Sequence, residues 1–298
     1  MKLVSALPLV ADAHRRRYAV PAFNTNSANY EMTRAALEAA QALRSPLILQ
    51  EYEPNAAYRG FNYLVMQVTT LMDELDITVP VALHLDHGHS FASVAKAIRA
   101  GFSSVMIDAS HESIEANAAL TNRVIELARP LGISVEAEIG HVHGNEAPAA
   151  RQIGRIPIPA RPAAPAPLTS PEEAADFLAR APVDMLAVAV GTTHGVFQSQ
   201  TDIAVALIQE IRERVNVPLV QHGTGGISLA DLTRLTEAGM AKVNFGEVFR
   251  YDYIRHFDAA AESTEHLWHP WRIMREVKDR LRATMEDLIR ALGAANRV

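Results

Sequence analysis

The chain has 298 residues, 28 Lys and Arg against 34 Asp and Glu for a net charge of −6, and no cysteine. This mild acidity offers no basic face for a phosphate backbone, so nucleic acid is not an expected partner. Without thiols, any transition metal must be held by His and carboxylates. The length suits either one α/β barrel of roughly 250 residues or two smaller domains.

The opening segment, MKLVSALPLVADAHRRRYAV, has a short apolar run broken by Pro8 and Asp12 and followed by Arg15 to Arg17. It reads as neither an export signal nor a membrane span, so a cytoplasmic protein is expected. Eight short apolar runs follow, at 19–23 (AVPAF), 47–50 (LILQ), 79–85 (VPVALHL), 104–107 (SVMI), 134–139 (SVEAEI), 185–190 (MLAVAV), 218–221 (PLVQ) and 242–245 (KVNF). They are too uniformly apolar for half-exposed strands and read as strands buried on both faces. Helical spacing of apolar residues fills the intervals at 29–43, 61–75, 91–100, 114–131, 172–181, 203–215 and 229–238. Strict alternation implies a parallel sheet, and eight such units predict one (β/α)8 domain over 1–298. A doubly wound open sheet is the alternative, but no GxGxxG follows the first strand.

Two segments break the rhythm. About 45 residues separate the fifth and sixth runs, and 140–167 is rich in Pro and Ala with no periodicity, which reads as a lid or binding loop. The tail at 268–292 predicts an amphipathic helix with Trp271, Met274, Val277, Leu281, Met285 and Leu288 on one stripe, suited to packing on the barrel or to a subunit contact.

In a closed parallel barrel the carboxyl ends of all strands meet at one mouth. Asn24, Gln50, Asp86, His87, Asp108, Glu138, His194, His222 and Asn244 fall at those ends. Of the twelve histidines, His87, His194 and His222 follow the third, sixth and seventh strands. A single histidine is most simply structural, but three neutral imidazoles at one rim make a catalytic zinc site with an open position. His84 should point away from the mouth or into the barrel wall. Asp86 stands beside a ligand and suits proton exchange with a substrate hydroxyl, or else it orients an imidazole from outside. Asp108 and Glu138 suit outer partners or an alternative metal position. Gly223-Thr224-Gly225-Gly226 and Asn244-Phe245-Gly246-Glu247 occupy the two loops where such barrels usually bind anions at helix N-termini.

The segments PAFNTNS, HLDHGHSF, AGFSSVMIDASH, SVEAEIGHVHGNE, AVGTTHGVF, PLVQHGTGGIS and AKVNFGE occur in that order along nearly the whole chain. In them the chain resembles the class II metal-dependent ketose-bisphosphate aldolases, such as fructose- and tagatose-bisphosphate aldolases. The resemblance implies an α/β barrel with Zn2+ on His87, His194 and His222, and Asp86 acting on the C4 hydroxyl. It implies that the metal grips the ketose carbonyl and stabilises the enediolate left when the C3–C4 bond breaks. Glu146 would move a proton at the enediolate carbon and Asn244 would stand beside it. Gly195 and Gly223 would lie near the three-carbon half and a monovalent cation. Homodimers or homotetramers and a sugar or sugar-phosphate substrate are implied as well. The same residues argue against a lysine Schiff base, because the one candidate, Lys242, begins the eighth run and so belongs to the wrong barrel end.

Two departures bear on substrate. Gly225 stands where the family carries Ser or Thr, with Thr224 beside it, and Glu247 stands where the family carries the Thr that helps hold the C1 phosphate. A carboxylate about 4 Å from a phosphate dianion is repelled by roughly 4 kcal/mol per charge pair at an effective dielectric near 20. Donor binding at Asn24, Gln50, Thr224, Gly225, Gly246 and Glu247 is therefore expected to involve either a neutral end or a Glu247 turned outward to Arg250. A metal-dependent isomerase or epimerase and a non-catalytic sugar-binding subunit are the competing readings.

Overall fold

In the computed structural model, which describes residues 2–140, 142, 168–197, 199–200, 203–263 and 269–298, β1 (Val20–Asn24) is the point of closure. It pairs in parallel with β2 (Leu47–Tyr52) on one side and with β8 (Met240–Phe245) on the other. β3 (Val81–Gly88), β4 (Ser104–Ile107), β5 (Ser134–Ile139), β6 (Met185–Val188) and β7 (Leu219–Gln221) complete the closed ring in sequence order. This is the expected (β/α)8 barrel and rules out the open sheet. Every residue of β1, β4, β5, β6, β7 and β8 is buried, the pattern of strands covered on both faces.

Helices α1 (Ala6–Arg16), α2 (Tyr30–Leu43), α3 (Glu53–Arg59), α4 (Phe61–Glu74), α5 (Phe91–Ala100) and α6 (Ile114–Ala128) surround the first half. α7 (Pro171–Arg180), α8 (Val205–Arg214), α9 (Leu229–Ala238), α10 (Glu247–Ala261) and α11 (Pro270–Ala291) surround the second. Serine N-caps start several of them; Ser170 and Glu173 form a full capping box at α7. The sequence pattern did not mark α1, α3 or α10. In α1, Pro8 sits in the first turn, where its missing N–H breaks no helical bond.

Most boundaries agree with the sequence reading to within two residues or so, and one difference has chemical weight. β8 begins at Met240, two residues earlier than expected, so Lys242 lies within the strand, fully buried, rather than at its start. The tail helix buries Val277, Leu281, Met285 and Leu288, packing on α2 and α10, while Trp271 at its start is exposed. Of the expected loop at 140–167, only Gly140 and Val142 are among the described residues. Among the described residues no helix is long and apolar enough to cross a membrane. Phe23 of β1 packs edge-on against Phe245 of β8 and Phe249 of α10, with centroids 5.7 and 5.3 Å apart. Such pairs contribute about 1 kcal/mol each beyond area burial, and here they anchor the start of α10 at the barrel mouth.

Candidate metal centre and active site

Side chains alternate along a strand, so His84 and Asp86 of β3 share the inward face. His87 would normally point outward. It has a left-handed φ of 48°, at an irregularity where the β3–β4 register shifts between Leu85 and Gly88. That conformation costs on the order of 1 kcal/mol and allows consecutive side chains, Asp86 and His87, to reach the same cavity.

His87, His194 and His222 come together as the sequence suggested, with ring centroids 4.8, 5.2 and 5.9 Å apart and one ligand atom from each within 4.8 Å of the others. Each ring has one nitrogen on a carboxylate. His87 Nδ1 lies 2.7 Å from Asp108 Oδ2, His194 Nδ1 lies 3.1 Å from Glu247 Oε1, and His222 Nε2 lies 3.0 Å from Glu136 Oε1. The opposite nitrogens of His194 and His222 are buried without a hydrogen-bond partner. His222 Nδ1 is 2.8 Å from Glu138 Oε2 but without hydrogen-bond geometry. Orphaned imidazole nitrogens facing one point, each oriented by a carboxylate from behind, fit a tetrahedral metal with one open position. His87, Asp108 and Glu138 form a second overlapping group that could hold an ion.

Electrostatics agree with cation binding. Burial opposes charge on His87, yet Asp86 and the bond to Asp108 outweigh it and lift its pKa to about 9. Burial likewise opposes charge on His222, and Glu136 and Glu138 lift it to about 10. The pocket is thus rich in negative charge directed at its imidazoles.

Asp86 is gripped from three strands. Its Oδ2 accepts from Asn24 Nδ2 at 3.2 Å and Gln50 Nε2 at 3.1 Å, and its Oδ1 accepts from Asn244 Nδ2 at 3.3 Å. A carboxylate held this way has a fixed direction and keeps lone pairs for a substrate hydroxyl. The neighbouring β1 loop is strained: Asn26, Ser27 and Ala28 all have positive φ. Buried Glu51 pins it through the N–H groups of Ser27 (2.7 Å) and Ala28 (3.1 Å) and the Thr25 hydroxyl.

The loops after β7 and β8, where the sequence reading looked for anion binding, carry a carboxylate at the start of α10. Glu247 is the first residue of α10, so the helix N-terminus that would face an anion carries its own carboxylate. Burial raises the pKa of Glu247, but His194 and Arg250 bring it down to about 2, so it is anionic. The Thr224 hydroxyl donates to the Asn244 carbonyl at 2.6 Å. At Gly225 a Cβ would stand 1.8 Å from the Gly195 carbonyl oxygen, so no hydroxyl-bearing side chain fits. The N-terminus of α9 is capped by Ser228. Buried Gln200 ties these loops together, donating to the carbonyls of Gly225, Thr193 and Gly223 at 2.7, 3.0 and 3.2 Å.

A cavity of about 420 Å³ opens over this centre. Asn24, Gln50, Asp86, His87, Asp108 and His194 line one part of it, and Gly195, Gly223, Asn244, Gly246 and Glu247 line another. His222 and Glu138 lie beneath it, fully buried. Thr224 and Gly225, expected to touch substrate, do not line it, because both are used to pack loop against loop. Glu146 lies outside the described residues. Asn26, Tyr52, Asn55, His89 and Arg250 also line the cavity. The sequence reading gave Asn26, Tyr52, Asn55 and His89 no site role because they stand beyond the expected strand ends, and named Arg250 only as a partner for Glu247. Among the described residues no lysine lines it.

A closed barrel with a buried carboxylate and a histidine triad able to hold a metal at its C-terminal mouth places the chain in the α/β-barrel class. The sequence model of the family described as fructose-bisphosphate aldolase class-II matches residues 4–297, and the chain belongs to that family. It is 36% identical over 298 residues to the fructose-bisphosphate aldolase of Geobacillus stearothermophilus, covering 100% of this chain and 99% of the relative. To the Staphylococcus aureus fructose-bisphosphate aldolase it is 35% identical, with the same coverage. The crystal structure of the YdjI aldolase from Escherichia coli K12 superposes with a TM-score of 0.82 at 28% identity, covering 99% of both chains. The protein is therefore a lyase of the class II aldolase type, a family that is metal-dependent and acts on sugar phosphates.

Proposed function

We propose that this aldolase uses zinc to cleave a ketose between C3 and C4, and that its three-carbon product carries a free hydroxyl at C1 in place of phosphate. The observation that carries the zinc reading is the convergence of three carboxylate-backed imidazoles on one point beside Asp86. A zinc ion on His87, His194 and His222 would supply an electron sink for the charge left when the carbon–carbon bond breaks. Asp86 takes the proton of the C4 hydroxyl in cleavage and returns it in condensation, and Asn24, Gln50 and Asn244 hold both its oxygens in line. Asp108 and Glu138 serve as outer partners. Glu146, by family resemblance, moves the proton at C3. A homodimer or homotetramer in the cytoplasm completes the reading.

The donor half rests on the anionic Glu247 at the α10 N-terminus and on the engaged Thr224 hydroxyl. Comparing dihydroxyacetone with its phosphate as donors in condensation with a set of aldehydes tests it. Dihydroxyacetone is expected to give the higher kcat/KM. A clear preference for the phosphate, which Arg250 would then have to hold, overturns this half. A product sugar of unchanged length, with no three-carbon fragment, would point to an isomerase.

A further inference from the structure

Directly beneath the imidazoles the barrel interior is charged. Lys242 and Glu136 are fully buried, with Lys242 Nζ 2.8 Å from Glu136 Oε2. The other oxygen, Oε1, is the one that meets His222 Nε2 at 3.0 Å. His84, also fully buried, sits 3.5 Å from Glu136 Oε2 and places its Nδ1 2.7 Å from Ser104 Oγ. The interior layers of such barrels are ordinarily branched apolar side chains. A buried ion pair is often no more stabilising than well-packed apolar residues of similar volume, so stability alone gives no reason for this pair.

Alternation along the strands gives the reason. Glu136 is two residues before Glu138 on β5, and Lys242 is two before Asn244 on β8, so the pair lies one layer below the mouth, under the triad. His222 is the one triad imidazole that is fully buried, and among the described residues Glu136 is its hydrogen-bonded anchor. We propose that Lys242 and Glu136 act as a charge-paired strut whose role is to position His222: Lys242 fixes the Glu136 carboxylate, and Glu136 holds the Nε2–H so that Nδ1 faces the metal. Lys242 is a positioning residue that acts through Glu136. This role rests on the metal reading above.

Metal affinity tests it on the full chain, prepared metal-free and titrated with Zn2+ against a chromophoric chelator, with Co2+ absorption as a geometry readout. Lys242→Met and Glu136→Gln are each expected to weaken Zn2+ binding ten- to a hundredfold and to change the Co2+ spectrum. The double variant is expected to bind no more weakly than the worse single, because both act along one path. A folded Lys242→Met protein with unchanged Zn2+ affinity and Co2+ spectrum overturns the proposal, as do additive losses in the double variant. If Lys242→Met does not fold, Glu136→Gln and the double variant are compared: equal affinities support the strut, and a tenfold difference overturns it. Wild-type protein that binds neither ion removes the metal reading itself, and this role with it.

Discussion

Glu247 Oε1 lies 3.1 Å from Nδ1 of His194, which ties the residue standing in place of a family threonine directly to an imidazole of the triad. Arg250 Nη2 is 3.6 Å from the same oxygen. The two alternatives read from sequence, a carboxylate facing the donor or one turned out to arginine, therefore merge. One carboxylate contacts both groups while lining the cavity.

Replacing Glu247 by Thr should separate these tasks. Removing the anion from the α10 N-terminus is expected to raise kcat/KM for dihydroxyacetone phosphate relative to dihydroxyacetone at least tenfold. Loss of the support behind His194 should weaken zinc binding by about ten- to a hundredfold. Both are read from one preparation by donor kinetics and chelator competition. An unchanged donor ratio would mean that Arg250 and His194 already neutralise the carboxylate.

His222→Ala removes a triad nitrogen at full depth and leaves Glu136 and Glu138 without the group that faces them both. The expectation is joint loss: zinc content near zero after dialysis, and turnover at background. Activity that survives exhaustive chelation in either protein would break the link between metal and catalysis.

Asp86→Asn should behave oppositely, because Asp86 is not part of the triad and the amide keeps the shape of the side chain. Zinc content is expected to stay at the wild-type level, while kcat falls by about 10²- to 10⁴-fold. Turnover within a factor of three of wild type would remove Asp86 from its proton-carrying role.

The pattern of strand and helix made the mouth legible: Asn24, Gln50, Asp86, His87, Glu138 and Asn244 lie in their strands, Asp108 and His222 directly follow theirs, and His194 stands farther out in the loop after β6, because a barrel's topology converts sequence position directly into direction. Three kinds of feature were not legible. Glu136 and Lys242 lie inside the barrel, where apolar filling is the rule, and β8 starts at Met240, ahead of the run that marked it. Asn26, Asn55 and His89 reach the cavity from loops or a helix, whose geometry strand logic does not specify. The doubled reach of Asp86 and His87 depends on one left-handed φ that no residue type announces.

Gly225 offers a test of the donor end independent of charge. A serine there would restore a family hydroxyl, but its Cβ would meet the Gly195 oxygen at 1.8 Å and force the β6 and β7 loops apart. Gly225→Ser alone is thus expected to lower the melting temperature and to reduce kcat/KM for both donors alike. A selective gain with dihydroxyacetone phosphate would show that the loops can move aside.

In the metal-free protein His84 should drain stability as pH falls below about 6.5, while His87 and His222, lifted to about 9 and 10, act in the opposite direction only until their unfolded forms are protonated too. Burial holds the His84 imidazole neutral, with repulsion from Lys242 adding to the effect against the pull of Glu136, and its pKa falls to about 3. Unfolded, it titrates near 6.5. Below that pH the unfolded chain binds a proton the folded one refuses, so the stability is fully present above about pH 6.5 and drains away as pH falls toward 3. The slope from this one group approaches about 1.4 kcal/mol per pH unit. Depressed carboxylates such as Glu247, at about 2, add in the same direction but are common to wild type and to His84→Gln. Urea melts of both metal-free proteins from pH 7 to pH 4 should therefore differ in slope by close to one proton, with wild type the more acid-sensitive. Parallel slopes would mean that His84 takes up its proton in the folded barrel.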